Sequence, residues 1–395
     1  MKFKDLTINQ KLATSVAEQG FNELTPIQEK CIPPISKGKD VVGQAETGSG
    51  KTLAFVLPIL DKIRPRRGVQ VLVLTPTREL CMQVTDVFQK FGKFLHIKTT
   101  SIYGGVGIQP QIKNIQKSDI IVGTPGRILD HLSRKTINFS HLRFLVLDET
   151  DRMLDMGFIK DVEEIIRYVP KNRQTLMFSA TIDHAILKTL KKHLNHPVII
   201  KTQEHVDKTK LKQVYYDIYE RNHKFPLLVH LLRNNTPGLA IVFCATRKES
   251  DILTKNIRHQ RINAFAIHGG MTQRERQKSL YALKNNQTKV LVATDVAARG
   301  LDIKNVNHIY NYDVPKTAKE YTHRIGRTAR AGETGEAVTL LTARDHDNFR
   351  RVQSDDQLEI KRADIPPFEK VPFIRIFRNK ERRYKKRNYR SFAYQ

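Results

Sequence analysis

The chain has 395 residues, a length that suggests two or three domains of ordinary size. With 39% hydrophobic and 27% charged residues, its composition is that of a folded globular protein and excludes disorder along the whole chain. The formal net charge of +28 favours a polyanionic partner, either a nucleic acid or an anionic membrane. The excess is uneven, since residues 361–395 contain 12 basic and 3 acidic residues.

The cysteines and the hydropathy pattern indicate the cellular compartment in which this protein is expected. The three cysteines, Cys31, Cys81 and Cys244, lie far apart without paired spacing, which argues against a disulfide framework or a zinc site. No apolar run approaches the roughly 18 residues that span a bilayer, and the first residues show no signal-peptide core. We therefore expect a cytoplasmic protein with no membrane partner.

Short apolar runs separated by helix-like segments recur along the chain, a pattern typical of parallel sheets covered by helices on both faces. A polar stretch at residues 201–212 interrupts it, so we expect two α/β domains, over residues 1–205 and 206–360, and then a basic, disordered tail over residues 361–395. The predicted strands are Val41–Val42, Val69–Leu74, Ile120–Val122, Phe144–Leu147 and Leu176–Phe178 in the first domain, and Ala240–Cys244, Val290–Ala293, His308–Tyr310 and Ala337–Leu341 in the second.

A glycine-rich segment lies between the first predicted strand and a helical pattern, and it reads Ala45-Glu46-Thr47-Gly48-Ser49-Gly50-Lys51-Thr52. In such an arrangement backbone N–H groups and the helix N-terminus bind phosphates, the lysine reaches the β- and γ-phosphates, and the threonine hydroxyl binds Mg²⁺. Ala45 stands where a glycine is usual. A plain glycine-rich turn is the alternative, but the context and the residues together predict a nucleoside triphosphate site.

The strand predicted at Phe144–Leu147 is followed by two carboxylates, Asp148 and Glu149. Because parallel strands end side by side at one edge of a sheet, Asp148 can lie near Thr52 and hold Mg²⁺ while Glu149 activates the attacking water. Alone, such a pair would more often be a solvated strand end. Together with the glycine loop, it predicts hydrolysis of the nucleotide with Lys51, Asp148 and Glu149 as catalytic groups.

Further motifs follow in order over about residues 3–345: Asp148-Glu149-Thr150-Asp151, Ser179-Ala180-Thr181, Ala298-Arg299-Gly300-Leu301-Asp302 and His323-Arg324-Ile325-Gly326-Arg327-Thr328-Ala329-Arg330. With these motifs the chain resembles the DEAD-box ATP-dependent RNA helicases, and residues 148–158 and 323–332 are most similar to the bacterial RhlE-type branch. The resemblance implies two RecA-like parallel-sheet domains in tandem. It also implies an RNA-stimulated ATPase that locally unwinds short duplexes as the two domains close and open.

The resemblance also assigns roles to individual residues. Phe3 would stack on adenine and Gln28 would read its edge, with Phe21, Thr25 and Asp302 also contacting the nucleotide. Arg327 and Arg330 match arginine fingers, which stabilise charge at the γ-phosphate. Asp151, Ser179, Thr181 and His323 would couple the two domains. Contacts to the RNA backbone, independent of base sequence, are implied at Arg78, Gly105, Thr124, Arg127, Arg247, Gln273, Arg276 and Thr294.

Two positions depart from the family pattern. Thr150 replaces the usual alanine and is expected to face away from the Mg²⁺ site. Ala329 replaces a frequent glycine, and we expect the alanine to favour a helix by up to about 1 kcal/mol. Neither change should abolish activity, because the catalytic carboxylates and arginines are present.

Two other functions stay open. A non-enzymatic RNA-binding scaffold on this fold would normally have lost Lys51, the Asp-Glu pair or the arginines, all of which this sequence retains. A DNA helicase or translocase of the same superfamily is disfavoured because the segment around Gln28 resembles DEAD-box proteins. We expect ATP and Mg²⁺ as cofactors and RNA as the partner, with ribosomal RNA or a ribonucleoprotein among the candidates. One chain holds both halves of the ATP site, so catalysis should not require an oligomer.

Overall fold

The structure, a computed structural model, describes residues 2–45, 48–181, 190–202, 211–234, 238–285, 287–298, 303, 306–329, 334–356 and 358–375. The predicted site residues Glu46, Thr47, Asp302 and Arg330 lie outside these ranges, as does the side chain of Gln273. The chain divides into two compact units, one made up mainly of residues Met1–Val206 and one mainly of residues from Asp207 onward. Within the described residues, no helix is long and apolar enough to cross a membrane.

The first unit is built around a seven-stranded parallel sheet. Its strands are β1 (Val41–Gln44), β2 (Val71–Leu74), β3 (Thr99–Ile102), β4 (Ile120–Gly123), β5 (Phe144–Leu147), β6 (Gln174–Ser179) and β7 (Val198–Lys201). They lie in the order β3-β4-β2-β5-β6-β1-β7. Alternate residues of β2 enter two separate cores, Val71 and Val73 in one and Leu72 and Leu74 in the other. The sheet is therefore buried on both faces, as expected of a parallel sheet covered by helices.

Helices follow most strands of the first unit, and the residues at their starts explain where they begin. Pro26 and Pro125 occupy the first turn of two of them, where a missing N–H costs nothing. The Thr77 hydroxyl caps another by accepting a hydrogen bond from the Leu80 N–H at 3.3 Å. The helices are α1 (Gln10–Ala17), α2 (Pro26–Ser36), α3 (Lys51–Lys62), α4 (Arg78–Gly92), α5 (Ile108–Ile115), α6 (Pro125–Ser133), α7 (Thr150–Asp155) and α8 (Ile159–Arg167), with 3₁₀ turns at Phe3–Asp5, Lys93–Leu95 and Lys191–His193.

The second unit repeats the same plan. Its strands are β8 (Leu211–Asp217), β9 (Leu239–Phe243), β10 (Ala264–Ile267), β11 (Val290–Ala293), β12 (Val306–Asn311), β13 (Gly335–Leu341) and β14 (Lys361–Arg362), in the parallel order β10-β11-β9-β12-β13-β8-β14. Its helices are α9 (Lys224–Asn234), α10 (Arg247–His259), α11 (Gln273–Lys284), α12 (Asp295–Ala298), α13 (Ala318–Ile325) and α14 (His346–Gln353), with 3₁₀ turns at Arg221–His223 and Ala343–Asp345. Two tandem parallel-sheet units confirm the predicted α/β fold class.

The segment of residues 361–375 is part of the second unit, and the expectation that strands stop at residue 361 is wrong. β14 pairs with β8, and Phe368 and Val371 pack on the adjacent core. The buried side chain of Asn256 donates to the Ile374 carbonyl at 2.9 Å and accepts from its N–H at 2.7 Å. This arrangement could not be predicted from the sequence, because the strand is two residues long and both of its side chains are exposed. We call residues 361–375 the clasp.

Candidate active site

The glycine loop lies between β1 and α3, as the sequence predicts. Gly50, immediately before the helix, has φ of +91°, in the left-handed region that glycine adopts at little cost. The buried Lys51 ammonium folds back and donates to the Ala45 carbonyl at the start of the loop. Lys51 thus closes the loop on itself, while Ser49 and Thr52 are half-buried beside it.

Gln28 is held against this loop. Its side-chain oxygen accepts from the Thr25 N–H at 3.0 Å, and its amide nitrogen donates to the Gly50 carbonyl at 3.1 Å. Only 3% of Gln28 is exposed. The segment that the resemblance links to adenine is therefore connected directly to the glycine loop.

The two aromatic residues predicted to contact the nucleotide differ in exposure. Their rings are 5.9 Å apart, but Phe3 is 5% exposed and belongs to the core whereas Phe21 is 43% exposed. Phe21 also lies 6.1 Å from the ring of Phe91. The expectation that Phe3 offers a stacking surface does not fit its burial, and Phe21 is the ring of this pair that faces outward.

Asp148 and Glu149 follow β5 and are both buried. Burial and the neighbouring Glu149 carboxylate raise the pKa of Asp148 to about 7. Burial lowers the pKa of the Lys51 ammonium, although the carboxylates of Asp148, Glu149 and Asp151 act in the opposite direction. These mutual effects place the glycine-loop lysine and the carboxylates within one electrostatic site.

Glu149 is held by two unusual features. Its φ is +51°, a left-handed conformation that is costly for a residue with a side chain and is often found at functional sites. Its Oε2 accepts a hydrogen bond from the Arg152 guanidinium at 2.6 Å, and both side chains are buried. Sequence analysis missed Arg152. The available signal was the spacing of three residues, from the position just before a helix into its first turn, which can bring two side chains together.

The residues after Glu149 are hydrogen-bonded to the end of β6. The Asp151 N–H donates to Ser179 Oγ at 3.2 Å, and Asp151 Oδ2 accepts from the Thr181 N–H and hydroxyl at 3.2 and 3.3 Å. Ser179 Oγ in turn donates to the Thr181 carbonyl at 2.6 Å. Three of the four predicted coupling residues thus lie together, and the fourth, His323, lies on α13 in the second unit.

The predicted RNA contacts of the first unit converge on the loop after β3. The Arg78 guanidinium lies against Gly105, where φ is +79° and a side chain would collide with the arginine. Arg127 donates to the Val106 carbonyl of the same loop at 3.1 Å, and Thr124 precedes α6. The structure therefore brings Arg78, Gly105, Thr124 and Arg127 to one edge of the sheet.

A buried polar cluster around Gln111 supports the loop after β3, and the sequence did not predict it. Gln111 donates to the Tyr103 carbonyl at 2.9 Å, and its side-chain oxygen lies 3.1 Å from His131 Nε2 and 3.4 Å from Arg127 Nη1. Burial lowers the pKa of His131, which favours the neutral ring. Because the Gln111 oxygen can only accept, His131 Nε2 must carry the proton.

The second unit repeats the arrangement. Arg247 begins the helix after β9, and its side chain lies against Gly269 and Gly270 in the loop after β10. Arg276 contacts the Ala297 carbonyl at 3.5 Å, and the Thr294 N–H donates to the Ile267 carbonyl at 3.3 Å. The described parts of the predicted RNA contacts therefore cluster at one sheet edge in this unit as well.

A second ion pair, between the buried Arg324 and the half-buried Asp295, organises the arginine-rich motif. Arg324 contacts Asp295 through two hydrogen bonds, from Nε at 2.6 Å and from Nη2 at 2.7 Å, and its guanidinium lies 4.9 Å from the centre of the Phe243 ring. This pair joins α13 to α12, the helix that follows Thr294. Arg327 is buried just beyond α13.

The expectation that Ala329 favours a helix is wrong. α13 ends at Ile325, and Ala329 has φ of +55°. A left-handed conformation is one that glycine tolerates better than alanine. The family's glycine suits this position, and alanine adds strain there.

Comparisons with known proteins agree with this geometry. The family profile described as DEAD/DEAH box helicase matches residues 25–190, and the one described as Helicase conserved C-terminal domain matches residues 223–332. The chain is 42% identical to the DEAD-box ATP-dependent RNA helicase RhpA of Helicobacter pylori, covering 94% of this chain and 76% of RhpA. It is 41% identical to the helicase CshA of Geobacillus kaustophilus, covering 93% and 79%.

Among solved structures, S. cerevisiae Dbp5 bound to RNA and ADP BeF3 is similar, with a TM-score of 0.83 and 31% identity over 92% of this chain and 95% of that one. The strand order of the two sheets, the site around the glycine loop and the arginine clusters at the sheet edges all agree with these matches. The chain belongs to the DEAD-box ATP-dependent RNA helicase family.

Proposed function

We propose that this protein hydrolyses ATP in response to RNA and uses the cycle to bind and locally unwind short RNA duplexes. The observation that carries the proposal is that Lys51 at the end of the glycine loop and the Asp148–Glu149 pair after β5 are all buried, with the carboxylate charges acting on the Lys51 ammonium. Clusters of arginines beside glycine loops at the sheet edge of each unit support RNA as the partner, because such loops let a backbone approach closely. The similar Dbp5 structure was solved with RNA and a nucleotide.

Each part of the site has a proposed role. Lys51 and the N–H groups before α3 grip the phosphates, and Glu149 orients and deprotonates the attacking water. Arg327 and Arg330 stabilise charge at the γ-phosphate. Asp151, Ser179, Thr181 and His323 transmit the state of one site to the other. Arg78, Gly105, Thr124, Arg127, Arg247, Gln273, Arg276 and Thr294 hold the RNA backbone without reading bases.

Base recognition is proposed for the segment at the glycine loop. Gln28 reads the adenine edge by replacing one of its two hydrogen bonds, to Thr25 or to Gly50, with a hydrogen bond to the base. Phe21 and Thr25 line the same region. Phe3 packs beneath Phe21 and supports it. Asp302 is proposed to approach the ribose.

Thr52 and Asp148 would hold Mg²⁺, largely through water. The fit is chemical, since a buried carboxylate whose pKa is raised to about 7 gains from a nearby cation, and a carboxylate with a hydroxyl is a donor set that suits this metal. When bound, Mg²⁺ neutralises charge on the phosphate oxygens.

Steady-state ATP hydrolysis tests the proposal, measured with and without single-stranded RNA and with DNA of the same length as the control. We expect stimulation of several-fold by RNA and little by DNA, because the RNA 2′-hydroxyls distinguish the two. Lys51→Ala should lose turnover by weakening the grip on the phosphates. Glu149→Gln should lose turnover while still binding ATP, and unchanged turnover in that variant would refute the mechanism.

Two narrower assignments belong to the same proposal. The sequence of residues 148–158 and 323–332 supports the RhlE-type branch. A cytoplasmic location is supported by the free state of the three buried cysteines. Ribosomal RNA or a ribonucleoprotein is the proposed class of target, and a single chain suffices for catalysis.

A further inference from the structure

Thr150 is fully buried at the first position of α7, immediately after Glu149. Its hydroxyl donates toward two carbonyl oxygens, that of Leu147 at 3.3 Å and that of Phe178 at 3.2 Å. The first belongs to the end of β5 and the second to β6. One side chain therefore connects the turn that carries the catalytic carboxylates to the neighbouring strand.

The register of the sheet explains why this connection matters. β5 and β6 pair up to Leu147 and Met177, so Phe178 and Ser179 extend beyond the last paired residue of β5. The chain leaves the sheet there and turns through Asp148 and Glu149 into α7. The Thr150 hydroxyl donates to the Phe178 carbonyl at the point where β5 no longer provides a partner.

The same junction includes the Asp151 N–H, which donates to Ser179 Oγ at 3.2 Å, and Thr181, which donates to Asp151. Thr150 adds a further hydrogen bond to this junction, and an alanine at this position would lack it. We propose that Thr150 is a positioning residue for ATP hydrolysis: its hydroxyl fixes Glu149 relative to the Ser179–Thr181 segment and so sets how strongly RNA activates turnover. This inference rests on the proposed function.

Two substitutions separate the hydroxyl from the shape of the side chain. Thr150→Val keeps the branched shape and removes the donor, whereas Thr150→Ser keeps the donor. We expect Thr150→Val to lower RNA-stimulated kcat three- to tenfold, the scale of one neutral hydrogen bond, with KM for ATP and half-saturating RNA changed less than twofold. Thr150→Ser should stay within twofold of wild type in all three quantities.

A matched control accounts for a general loss of stability. Thr85 is also buried in the first unit, and its hydroxyl donates to the Cys81 carbonyl at 2.8 Å inside α4. Thr85→Val removes one buried hydroxyl away from the carboxylate turn and should leave kcat unchanged. If Thr85→Val lowers kcat as much as Thr150→Val does, or if Thr150→Ser falls together with Thr150→Val, the positioning role is refuted. Unchanged kcat in Thr150→Val refutes it as well.

Amide hydrogen exchange gives a readout that does not need turnover. Thr150→Val should speed exchange at residues 149–153 at least threefold, and Thr150→Ser should not. If wild type shows no RNA-stimulated hydrolysis, the proposed function fails, and exchange still decides whether the hydroxyl holds the start of α7. Equal exchange in wild type and Thr150→Val would overturn the inference, whatever the activity.

Discussion

Individual residues in this protein carry conformations that the sequence alone could not reveal. The backbone at Ala329 and at Glu149 is left-handed, and each residue is one that normally avoids that region. At position 329 the family pattern has glycine. Helix propensity alone predicted that alanine would be the more stable residue there, which is wrong because the backbone is left-handed. For Glu149 no feature of the sequence indicated the conformation, because it arises from the turn between β5 and α7.

Ala329→Gly should stabilise the second unit by up to about 1 kcal/mol, since glycine adopts positive φ without the penalty that alanine incurs. Urea unfolding measures the change. Ala282→Gly is the matched control, because Ala282 lies within α11 and glycine should cost about 1 kcal/mol or more there. A loss of stability in Ala329→Gly would contradict the conformation found at this residue.

Arg152→Gln should lower kcat for ATP at least tenfold while KM changes little, because the Glu149 carboxylate loses the buried partner that orients it. Steady-state kinetics at saturating RNA provide the measurement. Arg134→Gln serves as control, since Arg134 pairs with Asp130 at the surface, where such pairs contribute little. Equal kcat in wild type and Arg152→Gln would show that Glu149 needs no such partner.

At the scale of elements, the sequence predicted most of the central strands and missed β8 and the strands at the edges. All nine predicted strands coincide with β1, β2, β4, β5, β6, β9, β11, β12 and β13. The missed strands include the four edge strands β3, β7, β10 and β14. Central strands are buried on both faces and form continuous apolar runs, whereas an edge such as Thr99–Ile102 has half-buried polar residues in its middle.

A buried ion pair in the second unit joins α9 to the 3₁₀ turn that precedes α14. Lys224 Nζ lies 2.8 Å from Asp345 Oδ2, which also accepts from the Thr342 N–H and hydroxyl at 3.0 and 2.7 Å. Burial by itself would raise the pKa of the Asp345 carboxyl, but Lys224 and Thr342 hold it below its usual value. The folded state therefore favours the ionised carboxylate, and this contribution to stability is present above about pH 4.

Asp345→Asn should cost about 3–5 kcal/mol at pH 7, because the buried Lys224 ammonium loses its counterion. As pH falls through the lowered pKa of Asp345, wild type loses the same contribution and the difference should shrink. Urea unfolding at pH 7 and pH 3 measures both values. Asp347→Asn, which breaks an exposed pair with Arg350, should cost less than about 1 kcal/mol. A difference independent of pH would contradict the proposed ionisation.

Across the whole molecule, the two units share one plan down to the edge strand. The order of the second sheet matches that of the first strand for strand, so β14 in the clasp occupies the position that β7 holds in the first unit. Both units also place an arginine against a glycine loop at the same edge. The clasp therefore completes the second sheet, and its role can be tested apart from the charge of the basic residues that follow it in the sequence.

Two truncations separate the structural role of the clasp from the effect of the basic residues that follow it. Ending the chain after Arg375 removes 8 basic residues and 1 acidic residue and should flatten the salt dependence of RNA binding, while the melting temperature stays within about 2 °C. Ending it after Ile360 also removes β14 and the partner of Asn256, and should destabilise the second unit by at least about 2 kcal/mol. Thermal unfolding and binding at several salt concentrations test both forms. Equal melting temperatures for the two truncations would refute a structural role for the clasp, and an unchanged salt slope would refute RNA binding by the last residues.

The packing of Gln28 on Gly50 has a consequence for substrate choice. A side chain at position 50 would collide with the amide of Gln28 and with the Thr25 hydroxyl. The glycine loop and the segment around Gln28 are therefore packed directly against each other. If Gln28 reads the base as proposed, selection of the nucleobase and grip on the phosphates form a single mechanical unit. An altered loop should then reduce discrimination between nucleobases as well as affinity, which would make fidelity for ATP a property of the phosphate site.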